Sequence, residues 1–540
     1  MAWSGFRLLI QGGFLDTDTQ SSPQPSSPPK VRVWLVLLLA FFSGMTVLAV
    51  EISTSRLLAP FFGTSIIIWA VVIGLTLLYL SVGYWFGGRL ADASPQESRL
   101  FHIVAIAAFL VGVIPFLSKP VLTISSQAIA SLSGGLFFGS LVGVLLLLAV
   151  PLTMLGMVSP FAIRLVTHDV RHAGHRAGQI FALSTVGSIV GAFIPVLVLI
   201  PSVGTRSTFL IFAVGLLTLT LVAASTPLRR SLYAGFLAIL IVLWIAVDPG
   251  AIRPADGLVL EGESALQFFQ VIDEPNVGRR LVLNEGIGTH SIFNPNRLLT
   301  DGPWDYFLLA PLIGNQQPDD VSSLLVIGLG AGTVPKQFTS VYGSDVAIDG
   351  VEIDSRVIEI GQEYFEMNEP NLTTHAEDGR TFLQRTAQNY DVIAVDAYRQ
   401  PYIPFHLVTQ EFFLAARDRL NNNGVLALNA GRTLTDFRLV DVLSETMRSV
   451  FPYVYVIDLP SGFSNSLIYG TFKPIADIDI RSQALATNES ALAEIAKREW
   501  DLREVSSANT VYTDDLAPVE RLIDDIIVRE ALGGRSGRQR

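Results

Sequence analysis

The sequence predicts a multi-spanning α-helical membrane domain followed by an α/β domain whose sheet is mainly parallel, with a small β-hairpin element between them. Three observations carry this. Half of the 540 residues are hydrophobic and only 16% are charged, against roughly 25% charged in soluble domains. Long apolar runs follow one another from Trp34 to Val247, and Ile66 to Gly88 contains no Asp, Glu, Lys or Arg. Beyond Pro254, short apolar strands alternate with amphipathic helical stretches, the pattern of a parallel sheet covered on both faces.

Residues 1–33 include TDTQSSPQPSSPPK, a polar Ser/Pro-rich run that buries too little apolar surface to fold, so a disordered cytoplasmic tail is expected. The membrane domain is placed at 34–248. About seven spans are expected, near 34–56, 66–88, 101–117, 136–163, 179–200, 207–226 and 231–247, with 118–135 re-entrant or interfacial. Each comes near the roughly 20 residues that cross about 30 Å of hydrocarbon as a helix. Lys30, Arg32, Arg89, Arg99, Arg164, Arg171, Arg176, Arg229 and Arg230 fall on one side of these spans; Arg56, Lys119 and Arg206 fall on the other. The positive-inside rule then predicts a multi-pass protein of the cell (inner) membrane, in contact with the lipid bilayer, with its N-terminus in the cytoplasm. Seven spans leave everything after Asp248 outside, whereas six return it to the cytoplasmic side. Glu51, within the first span, is either a pathway group or a partner of Arg56.

A small β element is expected over 255–315, where LQFFQVIDEP and RRLVLNEG flank the turn-prone PNVG. The α/β domain follows at 316–475, with strands at Leu324–Ile327, Val346–Glu352, Val392–Val395, Val425–Asn429, Val454–Asp458 and Leu467–Thr471 and helices at Ser355–Met367 and Gln410–Leu420. The remainder, 476–540, reads as a charged helical extension in which ESALAEIAKREW is a solvated amphipathic helix.

Composition excludes several functions. A net charge of −11 offers no broad basic surface for phosphate backbones, so no nucleic-acid partner is expected and a small cationic substrate fits better. The chain has no cysteine, which rules out disulfides, thiolate metal sites and a cysteine nucleophile. His168, His172 and His175 have a helical spacing able to hold zinc, but they belong to a basic loop without a carboxylate ligand, and no metal is expected.

The chemistry concentrates after the strand SSLLVI. Gly328, Gly330 and Gly332 follow that strand and precede a helix, which brings bare backbone close to a ligand at a helix N-terminus. Thr333 stands where a dinucleotide fingerprint has its third glycine, so a pyrophosphate cofactor is disfavoured. The next strand ends at Glu352, twenty residues past Gly332, where a carboxylate can accept from both ribose hydroxyls. Asp378, followed by Gly379, and Asp396 close two further strand ends on the same edge; Asp378 suits either an adenine amine or a helix cap. Asp514 and Asp515 either face this crevice or cap the helix before Pro518.

Over roughly residues 260 to 475 this constellation resembles the polyamine aminopropyltransferases, the spermidine synthases. The resemblance is carried by ESALQ ending at Gln267, IGLGAG, GVEID, EDG, VIAVDAY and GVLALN. The apolar half, with FFSGMTVLAVEISTSRLLAPFFG and GQIFALSTVGSIVGAF, is similar to the segment fused to such domains in bacteria. The resemblance implies a Rossmann-like fold of the S-adenosylmethionine-dependent methyltransferase type. It also implies transfer of an aminopropyl group from decarboxylated S-adenosylmethionine to putrescine, and a possible homo-oligomer, since soluble relatives form dimers or tetramers. It assigns Gln267, Gly328, Gly330, Gly332, Glu352, Asp378 and Gly379 to the donor, Asp396 to proton acceptance, and Asp305, Tyr398 and Arg399 to the acceptor. The chain departs from the family in three places: Ala331 and Arg399 replace aspartates, and Pro303, Trp304 and Asp305 replace a tyrosine–histidine–glutamate run. Two anions are lost and a guanidinium gained, which makes the acceptor end less suited to a doubly charged diamine. The alternatives are a methyltransferase using ordinary S-adenosylmethionine, and a transporter or sensor that binds a nucleoside without turnover.

Overall fold

A computed structural model of the chain describes residues 31–63, 66–129, 135–167, 172–247, 250–284, 286, 288–398, 402–460, 464–487, 489–507 and 509–533. The apolar N-terminal half consists of α1 (Val33–Phe62), α2 (Ile66–Ala93), α3 (Glu97–Ile129), α4 (Gly135–Gly156), α5 (Val158–Val166), α6 (Ala173–Ile194), a π-helical turn Pro195–Leu199, α7 (Ile200–Ala223) and α8 (Pro227–Ala246). Six stretches are long and apolar enough to cross a membrane among the described residues. The fifth, Ala173–Ala223, is 51 residues long. A straight helix of that length would run about 75 Å, more than twice the hydrocarbon thickness. It bends instead at Gly204, whose φ of 79° and ψ of 167° are not helical. The two spans expected at 179–200 and 207–226 are thus one assigned helical stretch divided by this kink. The piece expected to be re-entrant, 118–135, is helical as far as Ile129, because α3 continues through Pro115 and Pro120.

Small residues set the close helix contacts. A Cβ on Gly187 or Gly191 of α6 would sit 2.0 Å from the carbonyls of Phe41 or Met45 of α1, so these backbones pack without side chains between them.

Hydrogen bonds fix which helix ends lie together. Arg32 pairs with Glu97 at 2.7 Å and donates to the Ala223 carbonyl at 2.5 Å. Arg164 meets Asp92 at 3.2 Å. At the opposite end, Arg253 donates to the Pro60 carbonyl at 3.4 Å, Lys119 to the Ala251 carbonyl at 2.8 Å, and the Thr205 amide to Glu263 at 3.1 Å. Because Ala223 lies at the first end and Thr205 at the second, the chain reverses at Gly204.

The small β element is a four-stranded antiparallel sheet in sequence order: β1 (Leu258–Glu263), β2 (Phe268–Glu274), β3 (Gly278–Leu283) and β4 (Thr289–Phe293). The expected hairpin is β2–β3, turning at Asn276 with φ of 68°. Two short helices follow, α9 (Pro303–Phe307) and α10 (Ala310–Ile313).

The α/β half continues with β5 (Ser323–Ile327), α11 (Thr333–Tyr342), β6 (Ala347–Glu352), α12 (Ser355–Tyr364), β7 (Leu372–Ala376), α13 (Gly379–Arg385), β8 (Tyr390–Val395), α14 (Gln410–Arg417), β9 (Leu420–Gly431), α15 (Arg438–Arg448), β10 (Tyr453–Asp458), β11 (Asn465–Thr471), α16 (Asp477–Ala486), α17 (Ser490–Lys497), β12 (Leu502–Glu504) and α18 (Val519–Gly533). The eight-stranded sheet has the order β12-β10-β11-β9-β8-β5-β6-β7; its β9-β8-β5-β6-β7 part is parallel and β12, β10 and β11 are antiparallel. The period of two in β5 divides its side chains cleanly. Leu324 and Val326 enter the core with Phe307 and Phe338, while Leu325 and Ile327 enter the core with Phe382 and Phe412.

One expectation is corrected here. The ESALAEIAKREW helix is solvated on one face only: Ser490, Glu494 and Lys497 are exposed, whereas Ala491, Leu492, Ile495 and Ala496 join the first core with Ile480 and Trp500. Its apolar positions form one helical face, which packs against α16.

Candidate active site

The parallel sheet reverses its winding direction between β5 and β8, so the loops leaving their carboxyl ends splay apart into a crevice. A cavity of about 820 Å³ opens there, within the range of small-molecule sites. Its lining brings together Gln267, Gly328, Gly330, Glu352, Asp378, Gly379, Asp396 and Tyr398.

The glycine loop is shaped by positive φ angles: 87° at Gly328, 56° at Gly330 and 89° at Gly332. L-residues reach this region only at a cost of about 1–2 kcal/mol. A Cβ on Gly328 would also lie 2.5 Å from the Asp396 carbonyl oxygen, so two strand ends touch through bare backbone. The Gly330 amide donates to Glu352 Oε2 at 3.0 Å, and the Asp354 amide reaches Oε1 at 3.2 Å. Burial nevertheless dominates at Glu352 and pushes its pKa up to about 7. Gly332 does not line the cavity. It starts α11 in a left-handed conformation, and its α-carbon faces Met367.

Asp378 caps α13: Oδ1 accepts the Thr381 amide at 2.9 Å, and Oδ2 lies 2.9 Å from His406 Nε2. Burial opposes its charge, but these bonds outweigh it and hold the carboxyl below its ordinary range. The next residue, Gly379, permits α13 to press on β5, since a Cβ there would stand 2.2 Å from Ile327 Cγ2.

Asp396 is held from two sides. Trp304 Nε1 donates to Oδ2 at 2.8 Å and Asn429 Nδ2 donates to Oδ1 at 2.8 Å. Burial raises its pKa to about 6, against the lowering effect of both bonds. Tyr398 donates to the Asn429 carbonyl at 3.0 Å and so closes this wall.

Asp305 is a correction. It is fully buried, and its carboxylate is engaged by Thr300, the Asp301 amide, Gln337 and Arg498, the last at 2.8 Å. It locks the loop that carries Trp304 and does not face the cavity. Arg399 lies outside the described residues, as does His168 of the histidine trio. Asp514 also has a different role: its carboxylate grips Arg380 at 2.7 and 2.6 Å and accepts from Thr409 at 2.7 Å, tying the C-terminal segment to α13.

Several lining residues gave no sequence signal. Asn429 ends GVLALN, and Trp304 stands in a segment that departs from the family pattern. His290 also lines the cavity, and burial lowers its pKa to about 4, which leaves it neutral at ordinary pH. Trp69 comes from α2, so a helix of the apolar N-terminal half forms part of the cavity wall.

Comparison with known proteins agrees with this geometry. Residues 311–481 match the family model described as "Spermine/spermidine synthase domain". A protein of Bifidobacterium longum (strain NCC 2705) named "Probable polyamine aminopropyl transferase" is 33% identical over 300 residues, covering 51% of this chain and 65% of that protein. The "Polyamine aminopropyltransferase" of Vibrio vulnificus (strain CMCP6) is 34% identical over 195 residues, covering 35% of this chain and 62% of its own length. This chain therefore spans a little under two thirds of both relatives. Among solved structures, a probable spermidine synthase from Corynebacterium glutamicum ATCC 13032 aligns at TM-score 0.38 and 18% identity, over 49% of this chain and 99% of that one. Over residues 311–481 the α/β half of this chain is thus similar to the spermine/spermidine synthase domain and to polyamine aminopropyltransferases.

Proposed function

We propose that the chain is a membrane-anchored aminopropyltransferase that moves the aminopropyl group of decarboxylated S-adenosylmethionine to putrescine or another small amine. The observation that carries this reading is the gathering of Glu352, Asp378 and Asp396, from three separate strand ends, around one cavity beside a glycine loop. Glu352 at the end of β6 is suited to the ribose hydroxyls and Asp378 to the adenine amine, with Gly328, Gly330 and Gln267 against the rest of the donor. Asp396 takes the proton. As the amine nitrogen bonds to the methylene carbon next to the sulfonium, the carbon–sulfur bond breaks and its electron pair leaves on sulfur. The products are a neutral methylthioadenosine and an aminopropylated amine, and the displaced N–H proton passes to the carboxylate. A carboxylate with a pKa near 6 is largely ionised at neutral pH yet basic enough to accept that proton.

Anchoring in the cell membrane by a bundle over 34–248, with the N-terminus cytoplasmic, belongs to the same reading; the six apolar helical stretches and the cation bias support it. So does the division into a β element at 255–315, a catalytic domain at 316–475 and a C-terminal segment at 476–540, whose burial in the two cores makes it part of the catalytic body.

The test is product analysis by mass spectrometry, with the full chain in lipid nanodiscs, each form of the donor, and a panel of amines. Methylthioadenosine together with an aminopropylated amine is expected. Asp396→Asn should lower kcat by about 10²-fold or more while donor affinity stays within about threefold. A methylated product from ordinary S-adenosylmethionine, with none from the decarboxylated donor, would replace this reading.

A further inference from the structure

We infer that the α/β half and its reaction cleft lie on the extracytoplasmic face of the membrane, opposite the N-terminus. The bonds across the bundle ends establish the geometry. Arg32, Glu97 and Ala223 meet at one end, and Arg164 joins that end through Asp92. Arg230 adds the start of α8 by donating to the Ala224 carbonyl at 3.1 Å. At the other end, Pro60, Lys119 and Thr205 are each bonded to a residue between Ala251 and Glu263, the stretch leading into and through β1. Following the chain between these fixed points, α1, α3, α6 and α8 run from the first end to the second, and α2, α4 with α5, and α7 run back. The number of passages is odd, and the kink at Gly204 makes it so.

Charge then selects the side. Arg32, Arg89, Arg99, Arg164, Arg176, Arg229 and Arg230 lie at the first end, whereas Arg56, Lys119, Arg206 and Arg253 lie at the second, among the described residues of the bundle and the stretch leading into β1. Seven cations against four is the bias that retains an end in the cytoplasm. Three of the four are moreover explained by docking: Arg56 donates to the Ala265 carbonyl, Lys119 to that of Ala251 and Arg253 to that of Asn284. Trp69, in the first turn of α2, lies at this second end and lines the cleft, so the site sits at the membrane surface itself. Both donor and acceptor must therefore be supplied on that face.

The chain has no cysteine, so single-cysteine variants report position without background. Leu434 and Ile478 are exposed on the α/β half and Leu228 is exposed at the first end, at the start of α8. On intact spheroplasts, a membrane-impermeant maleimide should label Leu434→Cys and Ile478→Cys at least about tenfold faster than Leu228→Cys, and lysis should abolish the difference. An alkaline phosphatase fused after Arg540, active only when exported, should be active. Labelling in the opposite order, or equal labelling of all three before lysis, overturns the inference. Neither readout depends on aminopropyl transfer, so this inference and the proposed chemistry stand or fall separately.

Discussion

The surroundings of Asp396 set its acidity, and with it the proton-accepting role proposed for it. Burial raises its pKa to about 6, and the bonds from Asn429 and Trp304 keep it from rising further, because both stabilise the anion. A general base works only when ionised, so kcat/KM should increase as pH rises through about 6 and level off above it. Asn429→Leu removes one donor to the anion. A hydrogen bond to a charged group is worth about 1.5–3 kcal/mol, so the rising limb should move about one to two pH units upward. The measurement is the pH profile of kcat/KM; a limb that stays in place would show that Asp396 is not the titrating base. Sequence alone located Asp396, because it closes a strand in a recognisable pattern. It could not locate Asn429 or Trp304 as its partners, since both reach it only through the folded backbone.

The glycine loop allows a comparison within one element. Gly328 and Gly343 flank α11 and have similar φ angles, 87° and 92°. They differ in surroundings: a Cβ on Gly328 would meet the Asp396 backbone at 2.5 Å, whereas nothing lies within 4 Å of one on Gly343. Gly343→Ala should therefore lower stability by about 1–3 kcal/mol and leave nucleoside binding intact. Gly328→Ala carries the same strain and also displaces the end of β8, so binding of methylthioadenosine should weaken at least about tenfold by calorimetry. Equal binding by the two variants would remove the loop from the site. Most strands around this loop were legible because parallel strands buried on both faces are apolar throughout. β7 was legible only by its end at Asp378: Leu372–Ala376 reads LTTHA, half-exposed and too polar to mark the strand itself. The role of Asp305 was misread for a related reason. Its position in the family pattern pointed to the acceptor, but Arg498, 193 residues away, captures it in the core.

Joining the two halves makes the apolar helical bundle part of the cleft's support. The β1–β2 turn carries Ser264, Ala265, Leu266 and Gln267, and the last two line the cleft. That turn is held from two directions: the Ser264 hydroxyl bonds to Asp354 at the head of α12, and Arg56 near the end of α1 donates to the Ala265 carbonyl. The orientation of the halves was open in the sequence because seven spans and six place the α/β half on opposite sides, and composition alone does not fix the count. If Arg56 steadies the turn, its loss acts on ground-state donor binding and not on the chemical step. Arg56→Gln should then raise the donor KM by about 3- to 10-fold, the range for one partly exposed charge-assisted hydrogen bond, with kcat nearly unchanged. Arg99→Gln, at the opposite end of the bundle, should alter neither constant. Steady-state kinetics on the full chain in nanodiscs decides it: a fall in kcat without a change in KM would place the bundle's influence on the chemistry, and no change in either would reduce the bundle to an anchor.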